Sequence, residues 1–108
     1  MPIVPAWAKF HRPVTFCVND VLAQEVVAIL RTADMSVPEH MEIVGFDNSI
    51  VASLLDISSV SQPIKEIAHV GFEAMQTALK VERSSGAHEP HHLLPRLVMR
   101  GSSLKQRR

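Results

Sequence analysis

Two short apolar runs, each ending in a pair of small polar residues, constrain this chain more than any other feature. In the first, Val14, Phe16 and Val18 lead into Asn19-Asp20; in the second, Ile43, Val44 and Phe46 lead into Asp47-Asn48. A strand buried on both faces of a parallel sheet reads as such a run, and ligands in α/β proteins gather just beyond the carboxyl ends of these strands. An amphipathic stretch follows the first pair at once, and a shorter apolar one follows the second. The two polar pairs are therefore expected to face one crevice with amide and carboxylate groups.

The rest of the chain alternates in the same way. Residues 14–18 read as the first strand, and Asn19 or Asp20 caps a helix that runs to residue 33. Leu22, Val26, Ile29, Leu30 and Ala33 form its helical stripe, and Val21, Val27 and Ala28 widen it beyond one face. A helix apolar on more than one face either lies under a sheet or offers its second face to a partner. Val37-Pro38 is a turn and 42–46 the second strand. Ile50, Val51, Leu54 and Leu55 give a short helix over 49–55, and Ile57 and Val60 anchor a third strand over 57–61.

Pro63 suits the first position of a long helix. Ile64, Ile67, Ala68, Phe72, Met75, Ala78 and Leu79 follow its period until the small residues of 84–87 stop it. A loop over 88–92 leads to a last strand over 93–99. Before the first strand, residues 6–10 suit a helical turn, and Pro13 blocks its continuation. The order β-α-β-α-β-α-β predicts an α/β fold with a parallel sheet.

Composition removes several functional classes. The chain has 108 residues, one domain or part of one, with 11 basic and 11 acidic side chains that cancel. No overall field attracts nucleic acid, and the basic run Lys105-Gln106-Arg107-Arg108 reads as a solvated tail. Cys17 is the only cysteine, which excludes an internal disulfide; within an apolar strand it reads as a buried, inert thiol. The opening residues lack the charged and apolar regions of an export signal, and no stretch approaches a membrane span. The expectation is a cytoplasmic chain without membrane contact. No nucleophile elbow, phosphate loop or zinc-protease motif is present, so neither an enzyme nor a cofactor is expected. His88, His91 and His92 cluster in a loop that offers no helix or strand to fix metal ligands, so no metal site is assigned. His11, His40 and His69 are scattered.

Four blocks taken in order, FCVNDVLAQEVVAILR, SVPEHMEIVGFDN, SSVSQPIKEIAHVGFEAM and LLPRLVMRGSS, resemble the C-terminal part of LacI/GalR-type transcription repressors. The resemblance covers residues 6–103. It implies the C-terminal lobe of a type I periplasmic-binding-protein-like fold, here truncated. The implied division is an N-terminal segment 1–13, a lobe core 14–61, a crossover helix and loop 62–91, a returning strand 92–100 and a tail 101–108. In that family the helix matching 63–83 packs on a second lobe, which is almost entirely absent from these residues. Its apolar face must fold back, pair with another chain or stay exposed. The family often carries glycine where Asp34 stands, at a helix exit that Asp tolerates less well.

The resemblance also implies roles. The residue matching Asp47 contacts a small sugar-like or purine-like effector in the family, and the one matching Asn19 often does so. A carboxylate past a strand end accepts two hydroxyl hydrogen bonds. The alternatives are that Asp47 caps the short helix and Asn19 the long one, while Asp20 serves as a cap or a structural acceptor. The two helices carrying Leu22, Val26, Ile29, Ile50 and Leu54 match much of the family's homodimer interface. DNA binding in the family comes from an N-terminal helix-turn-helix and hinge helix; neither is found in these residues, so the chain is not expected to read an operator itself. Two other readings compete: a solute-binding protein of a transport system, and a gene product with no activity beyond self-association.

Overall fold

The computed structural model describes residues 13–80 and 90–103. Strands β1 (Val14–Phe16), β2 (Glu42–Phe46), β3 (Ser58–Ser61) and β4 (Arg96–Val98) form one sheet in that order. β1 and β2 pair in parallel with Val14 opposite Glu42, and β2 and β3 pair in parallel with Val44 opposite Ser58. Between them lie helices α1 (Asp20–Thr32), α2 (Ile50–Leu54) and α3 (Ile64–Lys80). The described residues form two compact units: those up to Ser61 together with those from Leu97, and Gln62 to Arg96.

In the first unit α1 packs on β2 and on α2. Asn19 stands in extended backbone before α1, and its Oδ1 accepts the Leu22 N–H at 2.8 Å. That satisfies one of the donors every helix start leaves open. The face turned to the core is Ala23, Val27 and Leu30, at i, i+4 and i+7, with Val26 beside it. Only part of the sequence stripe is turned inward. Leu22, Ile29 and Ala33 are exposed, because the small Ala23 rather than Leu22 marks the line along which the helix approaches β2. At the other end Asp34 takes the left-handed conformation, φ 56°. Its N–H bonds Arg31 O at 3.1 Å and the Met35 N–H bonds Leu30 O at 2.9 Å, the two bonds of a Schellman stop.

The core is small: Cys17, Ala23, Leu30, Met41, Ile43, Ala52 and Ile57. Strand limits differ from expectation at three places. β1 ends at Phe16, although the Cys17 N–H still bonds Val44 O at 2.8 Å. Ile57 precedes β3; its N–H bonds Ala52 O at 2.9 Å, so it closes α2 instead. β4 begins only at Arg96, because Pro95 has no N–H for a ladder and disfavours regular structure before it.

In the second unit the Ile67 N–H bonds Pro63 O at 2.9 Å, so Pro63 stands at the first turn of α3 as its chemistry suggests. No residue of α3 is buried; Ile64, Ile67, Phe72, Met75 and Leu79 are all exposed. The expected helix end at 84–87, the turn at 6–10 and the basic tail lie outside the described residues. No described helix is long and apolar enough to cross a membrane.

Candidate functional site

The chain leaves β2 through a corner at Asp47-Asn48 that few residues adopt. Both have left-handed backbones, φ 99° at Asp47 and 51° at Asn48. For residues with a side chain that conformation costs about 1–2 kcal/mol each, somewhat less for Asp and Asn, so the surroundings must impose it. Successive backbone amides do so. The Asp47 N–H bonds Val60 O at 2.9 Å, the Asn48 N–H bonds Ser59 Oγ at 2.9 Å, and the Ser49 N–H bonds Asp20 Oδ2 at 2.6 Å. In a phosphate-binding nest such amides would point at the ligand. Here the protein takes all of them, and the Asp47 side chain is exposed.

Behind the corner sits Asp20, only 1% exposed. A buried carboxylate is costly unless hydrogen-bonded. It accepts the Ser49 hydroxyl at 2.8 Å on Oδ2 and the Ser59 hydroxyl at 2.6 Å on Oδ1, besides the Ser49 N–H. Gly45 on β2 makes room for it: a Cβ there would strike Asp20 Oδ1 and lie 3.3 Å from Asp20 Cα.

From the other side comes Arg100. One arm of its guanidinium donates to Ile57 O at 2.8 Å and the other to Asn48 Oδ1 at 2.7 Å. An arginine only donates, so the amide oxygen of Asn48 must face it. Its own backbone N–H bonds Ser58 Oγ at 2.7 Å. Ser102 adds Oγ–H to Ile43 O at 2.5 Å and accepts the Ser58 N–H at 2.8 Å. These bonds explain how β3 buries two adjacent serines, where an apolar residue was the natural expectation.

The candidates named from sequence fall as follows. Asp47 stands exposed beyond the carboxyl end of β2, and Asn19 lies half-buried at the start of α1, beyond β1. The Asn19 Oδ1 serves as the cap of α1. Asp20 is the structural acceptor and not the cap. Ser49, not Asp47, is the residue before α2, and its side chain turns to Asp20 instead of capping. Leu22, Ile29, Ile50 and Leu54 are 45%, 64%, 71% and 75% exposed on the adjacent helices α1 and α2, whereas Val26 packs against the core. His91 and His92 are exposed, and His88 lies outside the described residues. Sequence reasoning missed Ser59 and Arg100. The only signal was the SSVS run, too polar for a core strand without buried partners.

A sheet with parallel β1, β2 and β3, polar strand ends and helices between the strands defines an α/β domain. The periplasmic binding protein-like domain family matches residues 3–103, and the chain belongs to it. It is 37% identical over 91 residues to the HTH-type transcriptional regulator DegA of Bacillus subtilis, covering 82% of this chain and 26% of that protein. The chain thus spans about a quarter of the length of such relatives. Among solved structures it is similar to a periplasmic binding protein/LacI transcriptional regulator from Alkaliphilus metalliredigens complexed with D-xylulofuranose. The TM-score is 0.75 at 24% identity, over 91% of this chain and 36% of that one. A LacI family regulator from Lactobacillus casei with bound sucrose gives 0.68 at 24%, over 83% and 33%.

Proposed function

We propose that this chain is the effector-binding and dimerisation part of a LacI-type transcriptional regulator, with Asp47 and Asn19 as its effector contacts. The carrying observation is the Asp47 corner, a strained backbone held by successive amide bonds beyond a parallel strand end. Strain retained against its cost is a pointer to a binding role. The corner amides are taken by the protein, and a carboxylate beyond a strand end suits hydroxyl donors, which favours a sugar or nucleoside over a phosphate. The sugars bound by the two similar structures support the same class. The exposed Leu22, Ile29, Ile50 and Leu54 supply an apolar surface for a second copy. DNA would be reached only through a helix-turn-helix outside these residues, so a change of DNA affinity would be a coupling between separate sites.

One wall of a cleft encloses little of a ligand, and pockets normally bury most of it. Binding by this chain is therefore weak, at millimolar sugar. The test is amide NMR of the full chain titrated with a panel of sugars and purines, for the parent and Asp47→Ala. Shifts confined to residues 19 and 47–49 in the parent, and lost in the variant, are expected. Shifts that survive Asp47→Ala, or none near residue 47, refute the assignment.

A further inference from the structure

The buried polar groups behind the corner include one connected relay, and it ends on the residue beside Asp47. The Ser59 hydroxyl has a single proton, which it commits to Asp20 Oδ1 at 2.6 Å. Its oxygen is then fixed as an acceptor, and the Asn48 N–H takes it at 2.9 Å. A hydroxyl that donates to a carboxylate becomes a better acceptor, so the two bonds strengthen each other. Arg100 holds the other end of Asn48, through Oδ1 at 2.7 Å, while its second arm is fixed on Ile57 O. Asn48 is thus gripped at its backbone by β3 and at its side chain by the segment after β4, with Asp20 of α1 holding Ser59 behind it. The adjoining Ser49 N–H on Asp20 Oδ2 closes the corner from the far side.

We propose that Asp20 and Arg100, acting through Ser59 and Asn48, are positioning residues that hold the left-handed corner and so aim Asp47. This rests on the reading of Asp47 as an effector contact. None of these four residues needs to touch a ligand. Asp20 is buried, and the Asn48 side chain is turned to Arg100. The relay also ties the corner to the segment that follows β4. A shift of Arg100 would move Asn48 and, with it, the carboxylate beside it.

The test is NMR of the full chain, isotope-labelled, as the parent, Ser59→Ala and Arg100→Lys. Ser59→Ala removes the relay hydroxyl while leaving Asp20 its Ser49 bonds. Amide exchange at Asn48 should speed roughly tenfold, the worth of about one hydrogen bond, with Ile43 unchanged. The carbon shifts of Asp47 and Asn48 should move away from left-handed values, while Asp34, left-handed at a separate helix end, stays put. Arg100→Lys should move Asn48, and Asp47 with it, in the same direction. A merely structural role would loosen β2 and Asp34 as much as the corner; that result, or unmoved Asp47 and Asn48 shifts, overturns the proposal. If Ser59→Ala does not fold, Arg100→Lys decides it: an unchanged Asn48 overturns it and a displaced one sustains it. Sucrose titration separates the two readings. A parent that ignores sucrose, with the corner still moved by Ser59→Ala, removes the effector assignment and keeps the relay. A sucrose response at Asp47 that Ser59→Ala leaves intact overturns the positioning role.

Discussion

Gly45→Ala is the sharpest perturbation the structure offers. A Cβ at Gly45 would strike Asp20 Oδ1 and sit 3.3 Å from Asp20 Cα. The carboxylate cannot swing aside, because it is buried and bonded to Ser59 Oγ, Ser49 Oγ and Ser49 N. Moving Oδ1 forfeits a charge-assisted bond worth roughly 1.5–3 kcal/mol and leaves the Ser59 hydroxyl buried without its acceptor. The backbone contact adds overpacking strain of about 1–3 kcal/mol. Gly45→Ala should therefore cost roughly 2.5–6 kcal/mol of the ~5–15 kcal/mol that holds a typical domain. Gly101→Ala is the control. A Cβ there would also strike an aspartate oxygen, Asp56 Oδ2, but Asp56 is exposed and its side chain can rotate into water. Its cost should stay under about 1 kcal/mol. Urea unfolding of parent and variants reads both. In an Asp20→Ala background the Gly45→Ala cost should drop by roughly 1–3 kcal/mol, since the obstructing carboxylate is gone. Equal costs for the two glycine variants, or no coupling between Gly45 and Asp20, refute the reasoning.

Light scattering at micromolar concentration should find the parent self-associated and Ile50→Asp/Leu54→Asp shifted toward monomer; a monomeric parent rules out the interface. Asp34→Gly should stabilise the chain by about 0.5–1 kcal/mol, because glycine enters the left-handed stop of α1 without the Cβ penalty; an unchanged urea midpoint counts against that account. Burial raises the Cys17 thiol above the ordinary thiol range, so a disulfide reagent should label the native chain far more slowly than the urea-unfolded one. The sign follows from linkage. The folded state holds the thiol proton more tightly, so this contribution is intact below the ordinary thiol pKa and is lost as pH rises beyond it. Fast native labelling at neutral pH would mean Cys17 is not in the core.

The alternation of apolar runs and helical stripes revealed the element order, because burial on a sheet imposes periods of two and 3.6 that any chain displays. It placed β2, α1 and the Pro63 start of α3 within a residue or two. It did not say which apolar line of α1 is buried. Leu22 and Ile29 are larger than Ala23, yet closeness of approach, set by the smallest residue, decides the buried line here. The carboxyl-end location of Asp47 and Asn19 was legible for the same reason as the strands. The relay behind them was not. Ser59 and Asp20 are 39 residues apart, and Arg100 and Asn48 are 52 apart. Nothing local marks a serine as a buried partner of a distant carboxylate.

The small core makes those distant bonds matter for stability as well as for the site. Among the described residues only seven apolar side chains are buried, and Ala23, Ala52 and Cys17 among them remove little surface. Burying apolar area yields about 25 cal/mol per Å², so a core of small residues leaves little margin. The segment 100–103 adds to it through bonds. The Ile43 N–H takes Ser102 O at 3.0 Å, the Ser102 hydroxyl bonds Ile43 O, and the Ser102 N–H takes Asp56 O at 3.0 Å. Ser58 meets both Arg100 and Ser103. Each bond is worth only about 1 kcal/mol when made, but breaking one partner strands a buried group at about 1–3 kcal/mol. The polar layer is therefore a stronger constraint on alternatives than on the native state. The segment 100–103 has one register in which Ser102 reaches Ile43 and Ser58 together, and that register puts Arg100 beside Asn48. A slip by one residue would part Ser58 from Arg100, Ser102 and Ser103 and Asn48 from Arg100, so the same bonds that complete the fold also fix where the corner points.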